Sequence, residues 1–374
     1  MSPSNGHYNL ESDGRWIYHA YTPSPLTAIG KPTIDDELAT QLIRAHHLLG
    51  KLSGMFCYIP DMDVLSNPLA HREAKLSCEI EMQEALYNER FNAEPLKTPA
   101  NKMTATYSDS LLAYTKALKP DRTAVLDFVR DAHRQIFCDE YDGAGQFRTV
   151  QLFSYPKISS NGSPIYNPTH PNEMGKAIKD LNDYTNTPSE INPLVKIALV
   201  HYQLATIKPF LIGNGLAERL CVNFLLVYER LLPYPLLCLS EYLLAGDVEY
   251  RDSLRLVRDY ERDYSTWIKF FLKTIIIAVE KTIHMLDVLY RLRLSDLERI
   301  QNSKKCSPLL LMLYEYLWKS PIIETSKMVP ILNVSYNTVA KAVDALRYFN
   351  VLEPMDSKVR YRRFVYRRLT DVAE

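Results

Sequence analysis

The chain has 374 residues, 47% hydrophobic and 24% charged, with 44 Lys and Arg balanced by 44 Asp and Glu. This zero balance excludes an acidic disordered tail and a histone-like polycation but leaves room for a local basic patch, and the length suffices for two or more cores. The six cysteines, Cys57, Cys78, Cys138, Cys221, Cys238 and Cys306, contain no C-x-x-C pair, which excludes zinc-ribbon and thioredoxin readings and fits a reducing, cytoplasmic setting.

Residues 1–33 are rich in Pro and Tyr, read as an extended arm, and lack a hydrophobic signal core. From Ile34 apolar residues recur at helical spacing up to Gly54, and a turn follows at Ile59-Pro60-Asp61. Residues 69–92, without Pro or Gly and rich in Glu, Lys and Arg, predict a second helix. Helices are expected over 107–119 and 121–138, around Lys119-Pro120. Residues 142–171 hold DGAGQFR, a short apolar run and SSNGSP, the pattern of a loop with a small β-hairpin.

Helical patterns resume over 172–187, 190–207, 214–231, 238–246, 247–260 and 264–300. No stretch has the roughly 18 nearly uncharged residues that a membrane span needs. After Ser303-Lys304-Lys305 the character changes. Helices at 307–319, 322–330 and 335–348 precede two short β-type runs, Val351-Leu352 and Tyr361–Tyr366, and suggest a separate small domain.

The segment HYQLATIKPFLIGNGLAERL, from His201 to Leu220, carries the most chemistry. Gly213-Asn214-Gly215 opens a helix, so consecutive N–H groups can converge there into a nest that holds an anion such as phosphate. Arg219 lies one turn further and can reach the same anion. For the three residues alone, a plain glycine turn between helices is the competing reading.

The segment resembles the signature of the Fic family, H-P-F-x-[DE]-G-N-G-R-x-x-R. The chain reads Lys208-Pro209-Phe210-Leu211-Ile212-Gly213-Asn214-Gly215-Leu216-Ala217-Glu218-Arg219. REAKLSCEIE at 72–81 is similar to the inhibitory helix of self-inhibited Fic proteins. GQFR at 145–148 and YNPTHPNEM resemble the segments flanking the family's flap hairpin, and PLLCLSEYLLAGDVEYRDSL followed by WIKFFL resembles the helices after the signature. The resemblance covers roughly residues 20–370. It implies a mainly α fold: a Fic-type helical core with a small β-hairpin flap, plus a C-terminal winged-helix domain. The implied domains are an N-terminal region at 1–100 carrying the inhibitory helix at about 69–92, a Fic core at 101–302 and a winged-helix-like domain at 303–374.

Fic proteins typically transfer AMP from ATP to a hydroxyl of a target protein. The motif His is the general base, the acid holds Mg²⁺, the G-N-G amides bind phosphate and two arginines clamp the terminal phosphates. Here the base position is Lys208, whose ammonium cannot accept a proton unless strongly desolvated. It reads as a phosphate clamp, a desolvated base or a solvated, decayed position. The metal position is Ile212, which ligates nothing, and the first arginine position is Leu216. Gly213, Asn214, Gly215 and Arg219 remain. By resemblance Ser77 and Glu81 are inhibitory residues, and Glu81 would pair with Arg219. Tyr250 matches one tyrosine near the adenine, with Glu249 where its partner would stand. His201, two turns before Lys208, is expected to be structural.

In the last domain, 322–349 has the layout of a helix-turn-helix. Lys358, Arg360, Arg362, Arg363, Arg367 and Arg368 follow without an acid among them, a cationic wing suited to phosphate backbones or, alternatively, part of a protein-docking module. The expectation is therefore a self-inhibited, Fic-type ATP-binding protein with impaired or altered AMP transfer. The alternative is a catalytically silent regulator acting through DNA or a partner protein. A target protein is the implied partner, a homodimer is left open, and no membrane contact is expected.

Overall fold

The computed structural model describes residues 5–373 apart from 13, 15–16, 30, 61, 90–98, 118–124, 154–165, 189, 246, 260–263 and 356–361. It is mainly helical and divides into two compact units. One comprises Met1–Gly54 and Glu73–Val279, the other Met55–Arg72 and Glu280–Glu374.

The expected N-terminal arm is instead an antiparallel hairpin, β1 (Gly6–Ser12) and β2 (Ile17–Pro23), in register from Gly6↔Pro23 to Ser12↔Ile17. Tertiary contact holds it. Ala20 and Tyr21 are buried, and the Tyr21 N–H donates to the Asn167 carbonyl at 2.9 Å. Next come α1 (Asp36–Tyr58), α2 (Met62–Glu89), α3 (Ala100–Ala117) and α4 (Val125–Phe137). Helix α2 starts earlier than expected and contains Pro68, which has no N–H for the Val64 carbonyl. The Asn67 side-chain amide donates there instead, at 3.2 Å.

The hairpin expected within 142–171 falls mostly on 154–165, outside the described residues, and its described flanks form no strand. Helices α5 (Pro171–Asn186), α6 (Pro193–Ile207) and α7 (Asn214–Tyr228) follow. Every residue of α6 from Leu194 to Ile207 is buried, as for a helix at the centre of a core. It packs on α5 and α7, and α7 also packs on α3 and α4. Helices α8 (Ser240–Ala245), α9 (Asp247–Asp259) and α10 (Ser265–Gln301) complete the series.

The second unit holds α11 (Pro308–Lys319), β3 (Ile322–Glu324), α12 (Thr325–Leu332), α13 (Tyr336–Tyr348), β4 (Glu353–Pro354), β5 (Arg363–Val365) and α14 (Arg367–Ala373). Its antiparallel sheet has the order β3-β5-β4. Residues 322–324, expected to open a helix, pair with β5 because Ile323 and Phe364 are both buried across that register. Asp296 on α10 is buried and receives bonds from Tyr366 and Arg368, tying α10 to the chain's end.

Candidate functional site

Helix α6 stops at Lys208, a left-handed residue with φ 48° and ψ 71° whose N–H closes on the Leu204 carbonyl at 2.9 Å. Pro209 cannot continue the helix. The orphan carbonyls at this end meet Arg148, the arginine of GQFR. Its Nε donates to the Lys208 carbonyl at 2.8 Å and an Nη to that of Ile207 at 3.3 Å. A guanidinium suits the negative end of a helix. Burial brings the Arg148 pKa down to about 10.

Two side chains shape the loop from Pro209 to Gly213. The Asn214 amide clasps Phe210, accepting from its N–H at 2.9 Å and donating to its carbonyl at 2.8 Å. From α4, His133 accepts the Gly145 N–H on Nδ1 at 3.0 Å, so its proton sits on Nε2, which donates to the Ile212 carbonyl at 2.9 Å. Its ring stacks on Phe210, with centroids 3.9 Å apart. Burial lowers its pKa to about 4 and keeps it neutral.

Gly213 caps α7 at φ 74°, and an added Cβ would meet the Phe137 ring at 2.2 Å, so only glycine fits. Its N–H donates to the Glu81 carboxylate at 2.9 Å. One turn back on α2, the Ser77 hydroxyl accepts from Arg219 Nε at 2.6 Å, and the Ser77 carbonyl accepts from an Arg219 Nη at 3.0 Å. A Cβ on Gly215 would lie 2.9 Å from Arg219 Nη1 and 3.4 Å from Glu81 Oε2, so both groups crowd this glycine. Helix α2 thus places a carboxylate on the Gly213 amide that caps α7 and holds Arg219 beside it.

Next to Arg219, Glu218 is buried and accepts the Tyr250 hydroxyl at 2.9 Å, with His201 Nε2 3.8 Å away. His201, Arg219, Val222, Trp267, Phe271 and Thr274 contribute to one narrow pocket. Glu249, the neighbour of Tyr250, is drawn outward by Lys273 at 2.9 Å. Lys208 and Arg258 bring positive charge to the half-buried Tyr166, countering the rise that desolvation imposes on its hydroxyl. Ile212 offers only hydrocarbon at its position, and Leu216 is buried in the core. Among the described residues, no group of three or more His, Cys, Asp or Glu side chains is arranged to hold a metal ion.

Residues 123–226 match the model of the Fic/DOC family, and residues 39–120 match that of the Fic/DOC family N-terminal region. The chain carries a Fic/DOC domain. This Fic chain is 27% identical over 124 residues to the protein adenylyltransferase Fic of Nematostella vectensis, across 32% of its own length and 27% of that protein's. It is 28% identical over 106 residues to protein adenylyltransferase fic-1 of Caenorhabditis elegans, across 27% and 19% of the two lengths. The matched stretches thus span about a quarter or less of these relatives. A crystal structure of a Fic family protein from Desulfovibrio desulfuricans G20 has a TM-score of 0.53 at 16% identity, covering 90% of this chain and 98% of that one. At that identity the likeness concerns the fold.

The Fic motif residues fall into two groups. Gly213, Gly215, Arg219, Ser77 and Glu81 gather at the opening of α7. Asn214 directs its amide to the loop, and Tyr250 directs its hydroxyl to Glu218. No motif pointed to His133 or Glu218. Each lies on the buried face of a helix, which spacing alone reads as core.

Proposed function

We propose that the chain is a Fic-type nucleotide-binding protein related to the protein adenylyltransferases, self-inhibited by α2 and impaired in AMP transfer. The observation that carries this reading is the Glu81 carboxylate on the Gly213 N–H. An amide N–H that donates to a carboxylate oxygen there can equally donate to a phosphate oxygen once α2 withdraws. ATP is the ligand we assign. Gly213 and Gly215 would offer backbone N–H groups to its phosphates, Arg219 would supply charge, and Asn214 would keep the loop in shape. The Tyr250 ring would lie towards the base. ATP bound at this site would carry the AMP group that related enzymes transfer.

The transfer machinery is weaker than the binding machinery. Lys208 replaces the base with an ammonium, which donates protons and does not take them. Ile212 does not fit Mg²⁺, since its side chain is hydrocarbon and its carbonyl already accepts from His133. Leu216 supplies no charge to the terminal phosphates. We therefore expect the wild type to show little labelling with ATP carrying its label at the α-phosphate. Lys208→His, Ile212→Glu and Leu216→Arg combined with Glu81→Gly should raise it. Robust Mg²⁺-dependent labelling by the unaltered chain would overturn impaired transfer.

A second reading gives the 303–374 region a winged-helix role on DNA. Supporting it, α12 and α13 meet at the left-handed Asn333, and α13 exposes Tyr336, Asn337, Thr338 and Lys341 near its start. Arg363 and Arg367 are exposed, whereas Arg368 is engaged with Asp296. Lys358 and Arg360 lie outside the described residues. Gel-shift titrations at several salt concentrations test this reading, and absence of salt-dependent binding removes it in favour of protein docking. We retain 1–100, 101–302 and 303–374 as the functional divisions. A target protein is the partner this reading implies. Six free cysteines support a cytoplasmic location. No helix among the described residues is long and apolar enough to cross a membrane.

A further inference from the structure

Helix α2 brings a third polar residue to the face that carries Ser77 and Glu81. Glu73, Ser77 and Glu81 are four residues apart and therefore stack along one side of the helix. Glu73 is 0% exposed. One of its oxygens accepts the Ser240 N–H at 3.0 Å and the other accepts the Ser240 hydroxyl at 2.8 Å. It thereby fastens α2 to the start of α8. The titratable and charged groups around it are Arg219 from α7, Tyr107 from α3 and Cys78 on α2, with Glu81 facing Cys78 from the next turn. Arg219 already gives Nε and one Nη to Ser77.

We infer that Glu73 is a proton-operated latch on α2: the helix is held over the α7 opening while Glu73 carries its proton and is released when Glu73 ionises. The inference rests on reading α2 as the inhibitory helix and names what regulates it. A carboxylate sealed from water costs far more than a carboxylic acid, which carries no charge and can give its proton to the Ser240 hydroxyl oxygen while its other oxygen keeps the Ser240 N–H. When α2 lifts away, Glu73 meets water and ionises as an ordinary carboxyl. The closed state therefore binds a proton more tightly than the open state, and pH shifts the balance between them.

The size of the effect follows from burial, which pushes the Glu73 carboxyl from near 4.5 up to about 7, with Ser240, Arg219 and Tyr107 acting in the opposite direction. Closure is fully favoured below the lower value and its advantage is lost as pH rises through the upper one. Across that window the open fraction should rise on the order of 100-fold.

Amide hydrogen exchange of the full chain from pH 5.5 to 8.0 tests the latch. Protection of residues 73–82 is compared with that of residues 195–205 in α6, after correction for intrinsic rates. In the wild type the relative protection of α2 should fall at least tenfold with rising pH. Glu73→Gln keeps acceptor and donor for Ser240 but has no proton to lose, so its relative protection should stay level. If that variant does not fold, Ser240→Ala replaces it. Losing a donor to the ionised form should move the wild-type midpoint to higher pH. A level wild-type profile, a Glu73→Gln profile parallel to wild type or an unmoved Ser240→Ala midpoint overturns the latch. ATP calorimetry on the same samples separates the two ideas. Absent binding with a persistent α2 slope overturns the nucleotide reading alone.

Discussion

His133 and Glu73 are both sealed from water, and their protons push stability in opposite directions. His133 titrates at about 4, below its ordinary 6.5, so its contribution is present above 6.5 and is lost as pH falls through 4. Protonation would also turn Nδ1 into a donor facing the Gly145 N–H. The loss is limited to about 3 kcal/mol by the size of the shift. Glu73 gains stability over much the same descent. Denaturant unfolding at pH 7.5 and 4.5 should therefore give a shallow wild-type profile. His133→Gln should tilt it towards greater stability in acid and Glu73→Gln towards lesser. Two variants parallel to wild type would contradict both assignments. Gly213→Ala should lower stability by about 3 kcal/mol or more, read by thermal unfolding, since it combines a positive φ with a 2.2 Å clash. The glycines and Arg219 are legible because their spacing carries chemistry, and Glu81 through the resemblance of residues 72–81 to the Fic inhibitory helix. The burial of Glu73 and the role of His133 are not, since both depend on which helices meet around them.

At the scale of elements, apolar periodicity located most helices to within a few residues. Its errors have identifiable physical causes. Gly50 and Gly54 lie inside α1, because a glycine costs a helix only about 1 kcal/mol and tertiary packing overrides it. The β1–β2 hairpin carries the Asp13-Gly14 pair, a recognised hairpin signal, but its short strands, rich in Tyr and polar residues, lack a clear alternation. Its stability comes from contacts with Asn167 and Thr169, nearly 150 residues away in sequence. Strand β3 has three residues, too few to carry a period that separates strand from helix. Caps were more local. Ser335 caps α13 by accepting the Thr338 N–H at 3.3 Å. Ser335→Ala should therefore destabilise the second unit by about 1 kcal/mol in denaturant unfolding. An unchanged midpoint would show that the cap contributes nothing there.

At the scale of the whole molecule, the zero net charge is a sum of unlike parts. Residues 358–374 hold six basic residues and two acids, leaving 38 and 42 in residues 1–357. Composition could not reveal that the second compact unit takes in Met55–Arg72 as well as the end of the chain, because such a division depends on long-range contacts. The two ends of the α2–α7 contact, Glu81 and Gly213, are likewise far apart in sequence and adjacent in the fold. On the function proposed for this chain, Glu81 occupies a working phosphate nest. Calorimetry of ATP against the wild type and Glu81→Gly tests it most directly. A charge-assisted hydrogen bond of roughly 1.5–3 kcal/mol is removed, so Glu81→Gly should bind ATP about ten- to a hundredfold more tightly than the wild type. Equal affinity in the two proteins, or no binding to either, would contradict the claim.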